Sequence, residues 1–386
     1  MIKRALAKKL LSSLKAYPVV AVVGPRQSGK STLVKTVFPH KPYVSMEDLD
    51  MREYAINDPR GFISEYPKGA ILDEIQRTPQ LFSYLQTAID KYNKSGMFIL
   101  TGSQHFLMHE NISQTLAGRV RLLKLLPFSL NELSNAKFAF NEYEEYLFKG
   151  FYPRIYDKKM NPRDWYPDYI QTYVEKDLRL IKNIGNLNTF QKFLKMCAGR
   201  VGQVLNLSGL ASYCGITHNT AKSWISLLEA SFIVFLLSPH YKNFNKRLIK
   251  MPKLYFYDTG LLCCLVGIKN KNGLKNHNLK GEIFESFILS EILKNRFNKG
   301  LSSNIYFWRD KTGREIDCII EKSDRLVPLE IKSGRTMTQD QFKNLIYWNG
   351  LSKTSAKNSY IIYGGDLNQK RSSGNLISWR NIKAIL

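Results

Sequence analysis

One short segment constrains the fold of this chain more than any other, because a strand-forming run, a glycine-containing loop and a helix-forming run follow one another directly. Val19–Val23 is apolar and β-branched and lies between Pro18 and Gly24, which predicts a buried strand. The loop 24–31 (GPRQSGKS) has the pattern G-x-x-x-x-G-K-[ST], and residues 31–37 after it predict a helix. This order predicts a phosphate-binding loop, the P-loop.

The P-loop pattern assigns a role to each of its residue types. Gly24 and Gly29 permit backbone angles that turn successive N–H groups toward phosphate oxygens, and the helix N-terminus adds its positive dipole end. Lys30 would pair with the β- and γ-phosphates, and the Ser31 hydroxyl would coordinate Mg²⁺. We therefore predict ATP and Mg²⁺ as ligands. The loop residues that would bind them are Gly24, Pro25, Arg26, Gln27, Ser28, Gly29, Lys30, Ser31 and Thr32.

The rest of such a site should come from strands that end in polar residues. The apolar run 69–72 ends in Asp73, which would hold Mg²⁺ through water, and Glu74, which would orient and deprotonate the attacking water. Buried strand ends seldom carry carboxylates without partners, so this pair favours function. The next apolar run is followed by three candidates for positioning the water and sensing the γ-phosphate: Thr101, Ser103 and Gln104.

The strand-like and helix-like runs alternate through the first third of the chain. Alternation of this kind predicts parallel βαβ units and a three-layer α/β domain. The predicted strands are 18–23, 43–46, 70–72, 97–100 and 121–125, and the predicted helices are 1–17, 31–37 and 81–92.

These motifs and their spacing resemble the AAA+ class of ATPases, and more closely its bacterial and archaeal subgroup with an uncharacterised C-terminal region. The matching stretches are GPRQSGKST (24–32), VSMEDLDMREYAINDPRGFI (44–63), AILDEIQRTP (70–79), FILTGSQHFL (98–107) and SQTLAGRVRLLKLLPFSLNEL (113–133). The resemblance implies an arginine finger acting on a neighbouring subunit, for which Arg119 and Arg121 are candidates, and therefore a homo-oligomer. The alternative for Arg119 is an ion pair within the chain. Arg154 is a candidate for the nucleotide-sensing arginine of a lid.

The net charge of +25 on 386 residues indicates an anionic partner. The excess is uneven, since residues 1–150 carry 20 basic and 14 acidic side chains and the remainder 37 and 18. We therefore predict a nucleic acid, with DNA favoured, bound by the C-terminal part, although a solvated lysine-rich surface is the alternative. The five cysteines form no CxxC pair, and no apolar run reaches membrane-spanning length, so we predict reduced thiols, a cytoplasmic location and no membrane partner.

Residues 190–240 have the pattern of a winged helix-turn-helix. Helices are predicted over 190–198, 207–217 and 218–230, followed by a wing strand at 232–237. The third helix of such a unit commonly enters the DNA major groove, which would place four residues outward: His218, Asn219, Lys222 and Ser223. A module that binds another protein is the alternative.

A second group of charged residues lies near the end of the chain. Asp317 interrupts an apolar strand, and Glu330 and Lys332 lie two residues apart in the next strand, on one face. Two carboxylates can hold a divalent cation, and a lysine can help to activate its water for phosphodiester attack. With a glutamate on the preceding helix, Glu285 or Glu282, this looks like a PD-(D/E)XK nuclease. An inactive site of the same fold is the alternative.

The predicted class is therefore α/β throughout most of the chain. The predicted units are a P-loop ATPase core (1–134), a helical lid (135–187), a winged helix-turn-helix (188–268) and a mixed α/β, restriction-endonuclease-like domain (269–386). The Lys/Asn-rich stretch 269–280 is predicted to be a linker. The predicted function is Mg²⁺-dependent ATP hydrolysis that acts on, or is regulated by, nucleic acid. The alternatives are a nucleotide-gated switch or scaffold that cuts nothing, and a nuclease whose ATPase only gates access.

Overall fold

The computed structural model describes residues 2–103, 115–175, 186–240 and 250–386. Its first sheet has five strands in the spatial order β2-β3-β4-β1-β5, and all pairs are parallel. Each of the five strands begins and ends within two residues of its predicted bounds. They are β1 (Val19–Val23), β2 (Tyr43–Ser45), β3 (Ile71–Asp73), β4 (Phe98–Gly102) and β5 (Val120–Lys124).

Helices cover both faces of this sheet, as a three-layer domain requires. On β1, Val20 and Val22 face one layer, where they pack with Leu10 and Leu33. The alternate residues of β1 face the other layer, which includes Phe82. The helices are α1 (Ala7–Ala16), α2 (Lys30–Val37), α3 (Leu49–Asn57), α4 (Pro59–Ser64) and α5 (Leu81–Tyr92).

The first predicted helix is shorter than its apolar period suggests. It begins at Ala7 rather than at the first residue. The preceding residues bind Glu132 instead, through the Arg4 side chain at 3.0 Å and the Ala5 N–H at 2.7 Å. A contact with a distant residue therefore overrides the local helical pattern.

A set of helices and one hairpin follows the first sheet. The helices α10, α11 and α12 precede an antiparallel hairpin of β6 and β7, and Val204 adds an isolated bridge to Lys253 at the start of β7. Gly215 ends α11 with a left-handed backbone, as the predicted glycine turn requires. The elements are α6 (Leu130–Asn135), α7 (Tyr143–Lys149), α8 (Pro153–Asp157), α9 (Pro162–Tyr169), a π-helical turn (Ile170–Glu175), α10 (Leu187–Ala198), α11 (Leu207–Cys214), α12 (His218–Ala230), β6 (Val234–Leu237) and β7 (Lys253–Phe256).

The C-terminal part is a six-stranded mixed sheet packed on a long buried helix, α15. The sheet order is β12-β13-β11-β10-β9-β8, with β8, β9 and β10 antiparallel and β11 parallel to β10. The elements are α13 (Thr259–Leu265), α14 (Lys271–Lys275), α15 (Lys280–Asn298), β8 (Ile305–Arg309), β9 (Glu315–Glu321), β10 (Leu326–Lys332), α16 (Lys343–Ser352), β11 (Tyr360–Tyr363), β12 (Gln369–Arg371) and β13 (Gly374–Ser378). Short 3₁₀ turns lie at Ile75–Arg77, Gln339–Phe342, Ala356–Asn358 and Trp379–Ile385.

The Lys/Asn-rich stretch is not the free linker that its composition predicts. It contains α14, and its lysines form ion pairs with the acidic residues around α7. Lys275 lies 2.8 Å from Glu142, Lys271 lies 3.5 Å from the same glutamate, and Lys280 lies 3.3 Å from Glu144. Part of the basic excess of the chain is therefore neutralised internally.

Two further sequence expectations concern cysteines and membranes. None of the five cysteines, all of which lie in described segments, forms a disulfide. The longest described helix, α15, has 19 residues and carries six charged side chains. No helix within the described ranges is long and apolar enough to cross a bilayer.

Candidate nucleotide site and C-terminal acidic site

Of the two glycines predicted to shape the P-loop, Gly29 has the backbone conformation that favours glycine. Gly29 has a φ of +89°, a left-handed conformation immediately before the first residue of α2. Lys30 begins that helix and is 4% exposed, and its ammonium donates to the carbonyls of Gly24 at 3.0 Å and Pro25 at 2.9 Å. Burial lowers the pKa of Lys30. The ammonium therefore lies inside the loop, where a phosphate group would meet it.

The predicted magnesium residues Ser31 and Asp73 are in direct contact. The Ser31 hydroxyl donates to Asp73 Oδ2 at 2.8 Å, and the hydroxyls of Thr101 and Tyr43 donate to the same carboxylate. Burial, together with this carboxylate, raises the pKa of Tyr43 well above its usual range, so the phenol stays a neutral donor. A hydroxyl and a carboxylate from facing elements supply the hard oxygen donors that suit Mg²⁺.

Glu74 follows Asp73 and turns its carboxylate toward the end of β4. Its backbone is left-handed, with a φ of 53°. Its carboxylate accepts hydrogen bonds from the Ser103 hydroxyl at 2.9 Å and from the side-chain amide of Gln76. The Thr101 hydroxyl also accepts a bond from the Glu74 N–H at 3.4 Å. Thr101 and Ser103 thus hold the two carboxylates, whereas Gln104 lies outside the described residues.

Arg4 is a part of this site that the sequence did not reveal. Its guanidinium donates to the carbonyls of Ser28 and Leu126, each at 2.6 Å, and to Glu132 at 3.0 Å. Arg4 and Glu132 are 7% and 2% exposed, so this is a buried ion pair. Arg4 therefore fixes the P-loop backbone from outside. Because the two residues are 128 positions apart, no local pattern could have identified the contact.

The helices after β5 also touch the P-loop. A Cβ atom placed on Gly29 would lie 3.9 Å from Pro153, the first residue of α8. The Tyr169 hydroxyl at the end of α9 lies 3.5 Å from the Arg26 carbonyl. Arg154 is exposed on α8, one residue after Pro153, so its role as a nucleotide sensor stays a prediction.

The two arginine-finger candidates lie away from their own nucleotide site. Arg119 precedes β5, at the opposite end of the parallel strands from the P-loop, and pairs with Asp90 at 2.6 Å. Arg121 donates to the Gly300 carbonyl and so joins β5 to the C-terminal part. Arg119 therefore forms the intramolecular ion pair that was the alternative. Any catalytic role would have to be played at the site of another subunit.

The C-terminal acidic site consists of four carboxylates, those of Glu285, Glu315, Asp317 and Glu330. As predicted, Lys332 lies beside Glu330, with its ammonium 2.6 Å from Oε2, and it is also 3.3 Å from Asp317. The backbone N–H of Ile331 donates to the Asp317 carboxylate at 2.8 Å. The residues from β9 and β10 are thus brought together.

The helix carboxylate that faces this site is Glu285. It accepts a hydrogen bond from Tyr255 and lies 3.6 Å from the Lys253 ammonium, which also bonds Glu315. Burial raises the pKa of Glu285 to about 7, Lys253 opposes the shift and Asp317 adds to it. The Glu282 side chain lies against Gly202, whose added Cβ would be 3.1 Å from Glu282 and 3.6 Å from Glu285 Oε2. Lys253 and Tyr255 were not predicted to belong to this site.

The side chains of the C-terminal acidic site have the chemistry to bind a divalent cation, but they are not arranged as a metal site. Carboxylate oxygens suit Mg²⁺ or Mn²⁺, and the buried Oε1 of Glu330 has no hydrogen-bond partner. Burial, and then the charge of Asp317, raises the pKa of Glu330 to about 8. Across the described segments, no three acidic, histidine or cysteine side chains are grouped closely enough to hold a metal ion. The predicted metal ligands pair with two lysines instead: Asp317 and Glu330 with Lys332, and Glu285 with Lys253.

The predicted DNA-reading residues lie on the first turns of α12. His218, Asn219 and Lys222 are exposed, and Ser223 is half-buried. The Thr217 hydroxyl caps this helix by accepting from the Thr220 N–H at 3.1 Å. The outward placement leaves these side chains free to meet a partner, and the partner itself stays a prediction.

Comparison with protein families bears on the first of these regions. Residues 16–134 match the model of an AAA domain, so this part of the chain is similar to AAA-type P-loop ATPase domains. The match supports nucleotide binding at the site just described. Residues 140–272 and 280–382 match two domains of unknown function, designated DUF8612 and DUF4143.

Two relatives match this chain over most of their length. An uncharacterized protein of Mycobacterium tuberculosis is 29% identical over 338 residues, which cover 86% of this chain and 74% of that protein. One from Haemophilus influenzae is 20% identical over 365 residues, which cover 85% and 86%. Solved structures that are similar include a Walker-type ATPase of Pyrococcus abyssi, with a TM-score of 0.47, 15% identity, and coverage of 69% of this chain and 96% of that one. They also include AMPPCP-bound DnaA from Aquifex aeolicus, with a TM-score of 0.29, 14% identity, and coverage of 58% and 86%.

Proposed function

We propose that this protein binds ATP with Mg²⁺ and hydrolyses it at the P-loop. The observation that carries the proposal is the contact of the Ser31 hydroxyl with the Asp73 carboxylate at 2.8 Å, with Glu74 next in the chain and held by Ser103. This arrangement supplies a metal-binding pair and a base that face the same end of the sheet. The AAA domain match over the same residues supports it.

Each residue of the site would have a defined task. Lys30 and the loop N–H groups would bind the phosphate oxygens, and Ser31 and Asp73 would hold Mg²⁺, which supplies charge neutralisation at the phosphates. Glu74 would accept the proton of the attacking water. Ser103 would keep the Glu74 carboxylate in place.

Phosphate release from ATP tests this proposal. We expect wild-type protein to release phosphate with Mg²⁺ and to stop when EDTA is added. Asp73→Asn removes the charge that holds the metal and should abolish turnover. Asp324→Asn, at a side chain that is 75% exposed and far along the chain, is the matched control and should keep the wild-type rate. Turnover by Asp73→Asn at the control rate would contradict the proposal.

We further propose that the C-terminal part is a PD-(D/E)XK nuclease-like domain. The order α15-β8-β9-β10-α16-β11 provides a helix, three antiparallel strands, a second helix and a strand parallel to β10. Asp317, Glu330 and Lys332 meet on neighbouring strands of this sheet. If the site is active, Asp317 and Glu330 would hold Mg²⁺ or Mn²⁺, and Lys332 would orient the attacking water.

The unit of α10, α11, α12 and the β6–β7 hairpin would be a winged helix that delivers nucleic acid to this domain. Three helices followed by an antiparallel hairpin support that assignment. The exposed first turn of α12 supports contact with DNA through His218, Asn219 and Lys222. Binding that weakens steeply as salt rises would support phosphate contacts, and a flat response would count against them.

The second candidate function is a nucleotide-gated switch that binds a protein partner and cuts nothing. The observation that favours it is internal pairing in the basic C-terminal part, where Lys253, Lys271, Lys275 and Lys280 all bind carboxylates of the same chain. Plasmid incubated with protein and Mn²⁺, with and without ATP, separates the two functions. Cutting that is lost in Asp317→Ala supports a nuclease, and no cutting under any condition supports the switch.

A further inference from the structure

Lys253 makes an ionic contact between the β6–β7 hairpin and the C-terminal domain. It begins β7, is 4% exposed, and its ammonium bonds Glu315 and lies 3.6 Å from Glu285 Oε1. The ammonium is also 5.6 Å from the centre of the Phe307 ring. A lysine is seldom buried this far unless carboxylates compensate for its lost hydration. The position of Lys253 is therefore specified by the acidic residues that surround it.

The two lysines of the C-terminal acidic site pair with different carboxylates. Lys332 belongs to the same strand as Glu330 and pairs with the carboxylates of β9 and β10. Lys253 comes from another unit and pairs with Glu315 of β9 and with Glu285, the helix carboxylate. The Oε1 atom of Glu330, whose side chain is 1% exposed, has no hydrogen-bond partner. An acceptor of this kind, buried and unpaired, can still accept one more donor or cation.

We propose that Lys253 is a tethered cation that takes the place of a divalent metal ion at Glu285 and must withdraw before the C-terminal acidic site can bind that ion. An ammonium group and a metal ion compete for the same carboxylate oxygen and repel each other, so Lys253 at Oε1 opposes the binding of a metal ion to Glu285. The contact is thus autoinhibitory, and it accounts for the division of the predicted metal ligands between two lysines. This inference rests on the proposed nuclease-like function and concerns the regulation of the same site.

Mn²⁺ binding to the full chain tests the inference without any measurement of cutting. Isothermal titration would use nucleotide-free protein that carries Asp73→Asn, so that the P-loop site lacks its carboxylate. Lys253→Met keeps the apolar stem and removes the charge, and it should bind Mn²⁺ about tenfold more tightly or better, because one competing buried charge is gone. Lys253→Arg keeps the charge and should behave like its parent. Adding Glu285→Gln to Lys253→Met should remove the gain.

A second variant and a second measurement are available if Lys253→Met is unstable. If Lys253→Met fails to fold, Lys253→Gln, which keeps an N–H donor for Glu315, carries the same expectation. Mn²⁺ should also raise the unfolding temperature of the neutral variant more than that of its parent.

The contradicting results are distinct for the two proposals. Equal Mn²⁺ affinity in the parent and the neutral variant, with binding lost in Asp317→Asn, would overturn the role of Lys253 and leave the nuclease-like site standing. No Mn²⁺ binding in any variant would overturn both.

Discussion

The buried carboxylate of Asp258 accepts a hydrogen bond from the backbone N–H of Phe151 at 2.7 Å. This bond joins the residues after β7 to the turn that leads into α8, whose first residue lies beside the P-loop. The turn needs Gly150, with a φ of +66°, because an added Cβ would lie 1.9 Å from the Tyr166 hydroxyl and 2.5 Å from Asp258. The nucleotide site and the strand that carries Lys253 are therefore connected through one carboxylate.

Removal of this carboxylate should destabilise the protein strongly. In Asp258→Ala the buried N–H groups of Phe151 and Leu261 lose their acceptor, and the Tyr166 hydroxyl keeps only the Lys149 carbonyl, at 3.1 Å. We expect the free energy of unfolding to fall by about 2–4 kcal/mol, since each buried donor left unpaired is costly. Chemical denaturation measures this change. The exposed Asp324→Ala is the control, and an equal effect in both variants would contradict the assignment.

The same residue predicts a pH dependence of known sign. Burial raises the pKa of Asp258 above its ordinary value, although its hydrogen bonds oppose the shift. The folded protein therefore binds this proton more tightly than the unfolded chain does. The raised pKa makes its full contribution to stability at pH values below the ordinary aspartate pKa. That contribution is lost as the pH rises through the pKa of Asp258 in the folded protein.

Asp258→Asn does not titrate and serves as the reference for this effect. As the pH falls from neutral to acidic, the free energy of unfolding of the wild type should increase relative to that of Asp258→Asn. Urea unfolding of both proteins at several pH values measures the difference. A difference that is constant with pH, or that moves the other way, would show that the pKa of Asp258 is not raised.

Glu74→Gln should separate nucleotide binding from hydrolysis. The amide keeps the size of the side chain and can still accept from Ser103, but it cannot take a proton from water. We expect the turnover number to fall by about 10²–10⁴-fold, the usual contribution of a general base, while ATP affinity stays close to wild type. Steady-state kinetics and equilibrium ATP binding measure the two quantities. Glu53→Gln, at an exposed position of α3, is the control, and equal turnover in both variants would exclude Glu74 as the base.

Arg4→Ala should disturb the P-loop although Arg4 lies outside the motif. The substitution leaves Glu132 buried and unpaired, and breaking a buried ion pair costs about 3–5 kcal/mol of unfolding free energy. ATP affinity should also fall, because the Ser28 carbonyl loses its donor. In Arg4→Ala/Glu132→Gln much of the stability should return, whereas ATP affinity should stay low. Recovery of both together would mean that Arg4 has only a structural role.

The sequence predicted the ATPase core well because its signals are local. The β-branched run of β1 and the spacing of Gly29 and Lys30 are read within a few residues of each other. The positions of Asp73 and Thr101 at the ends of adjacent strands were predicted from the same local motifs. The pair Glu330 and Lys332 was also predictable, since a strand places alternate residues on one face.

The contacts that the sequence missed are those between distant parts of the chain. Lys253 was one of the many charges of the basic C-terminal part, but it is buried against Glu285 and Glu315. Asp258 was not singled out from the sequence: it caps α13 by accepting from the Leu261 N–H at 2.9 Å, and its bond to Phe151 spans 107 residues. Composition gives the number of charges and not their partners, so internal pairing could not be foreseen.

Arg119→Ala should reveal whether subunits share a nucleotide site. The Arg119–Asp90 pair is exposed, so its loss should leave the unfolding midpoint close to that of the wild type. If Arg119 acts on a neighbouring subunit, the hydrolysis rate should fall sharply at protein concentrations that favour assembly. Asp90→Ala removes the same ion pair and keeps the arginine, so it should retain the rate. Equal rates in wild type, Arg119→Ala and Asp90→Ala would exclude a finger at this position.

The most direct test of ATP hydrolysis at the P-loop is the rate of phosphate release by Lys30→Ala, measured beside the exposed control Lys8→Ala. Lys30 is the buried ammonium that lies inside the P-loop, and Lys8 is a solvated charge on α1. We predict that Lys8→Ala hydrolyses ATP at the wild-type rate and that Lys30→Ala, folded to the same extent, shows none above background. Hydrolysis by Lys30→Ala at the control rate would contradict the assignment of the P-loop as the site of ATP hydrolysis.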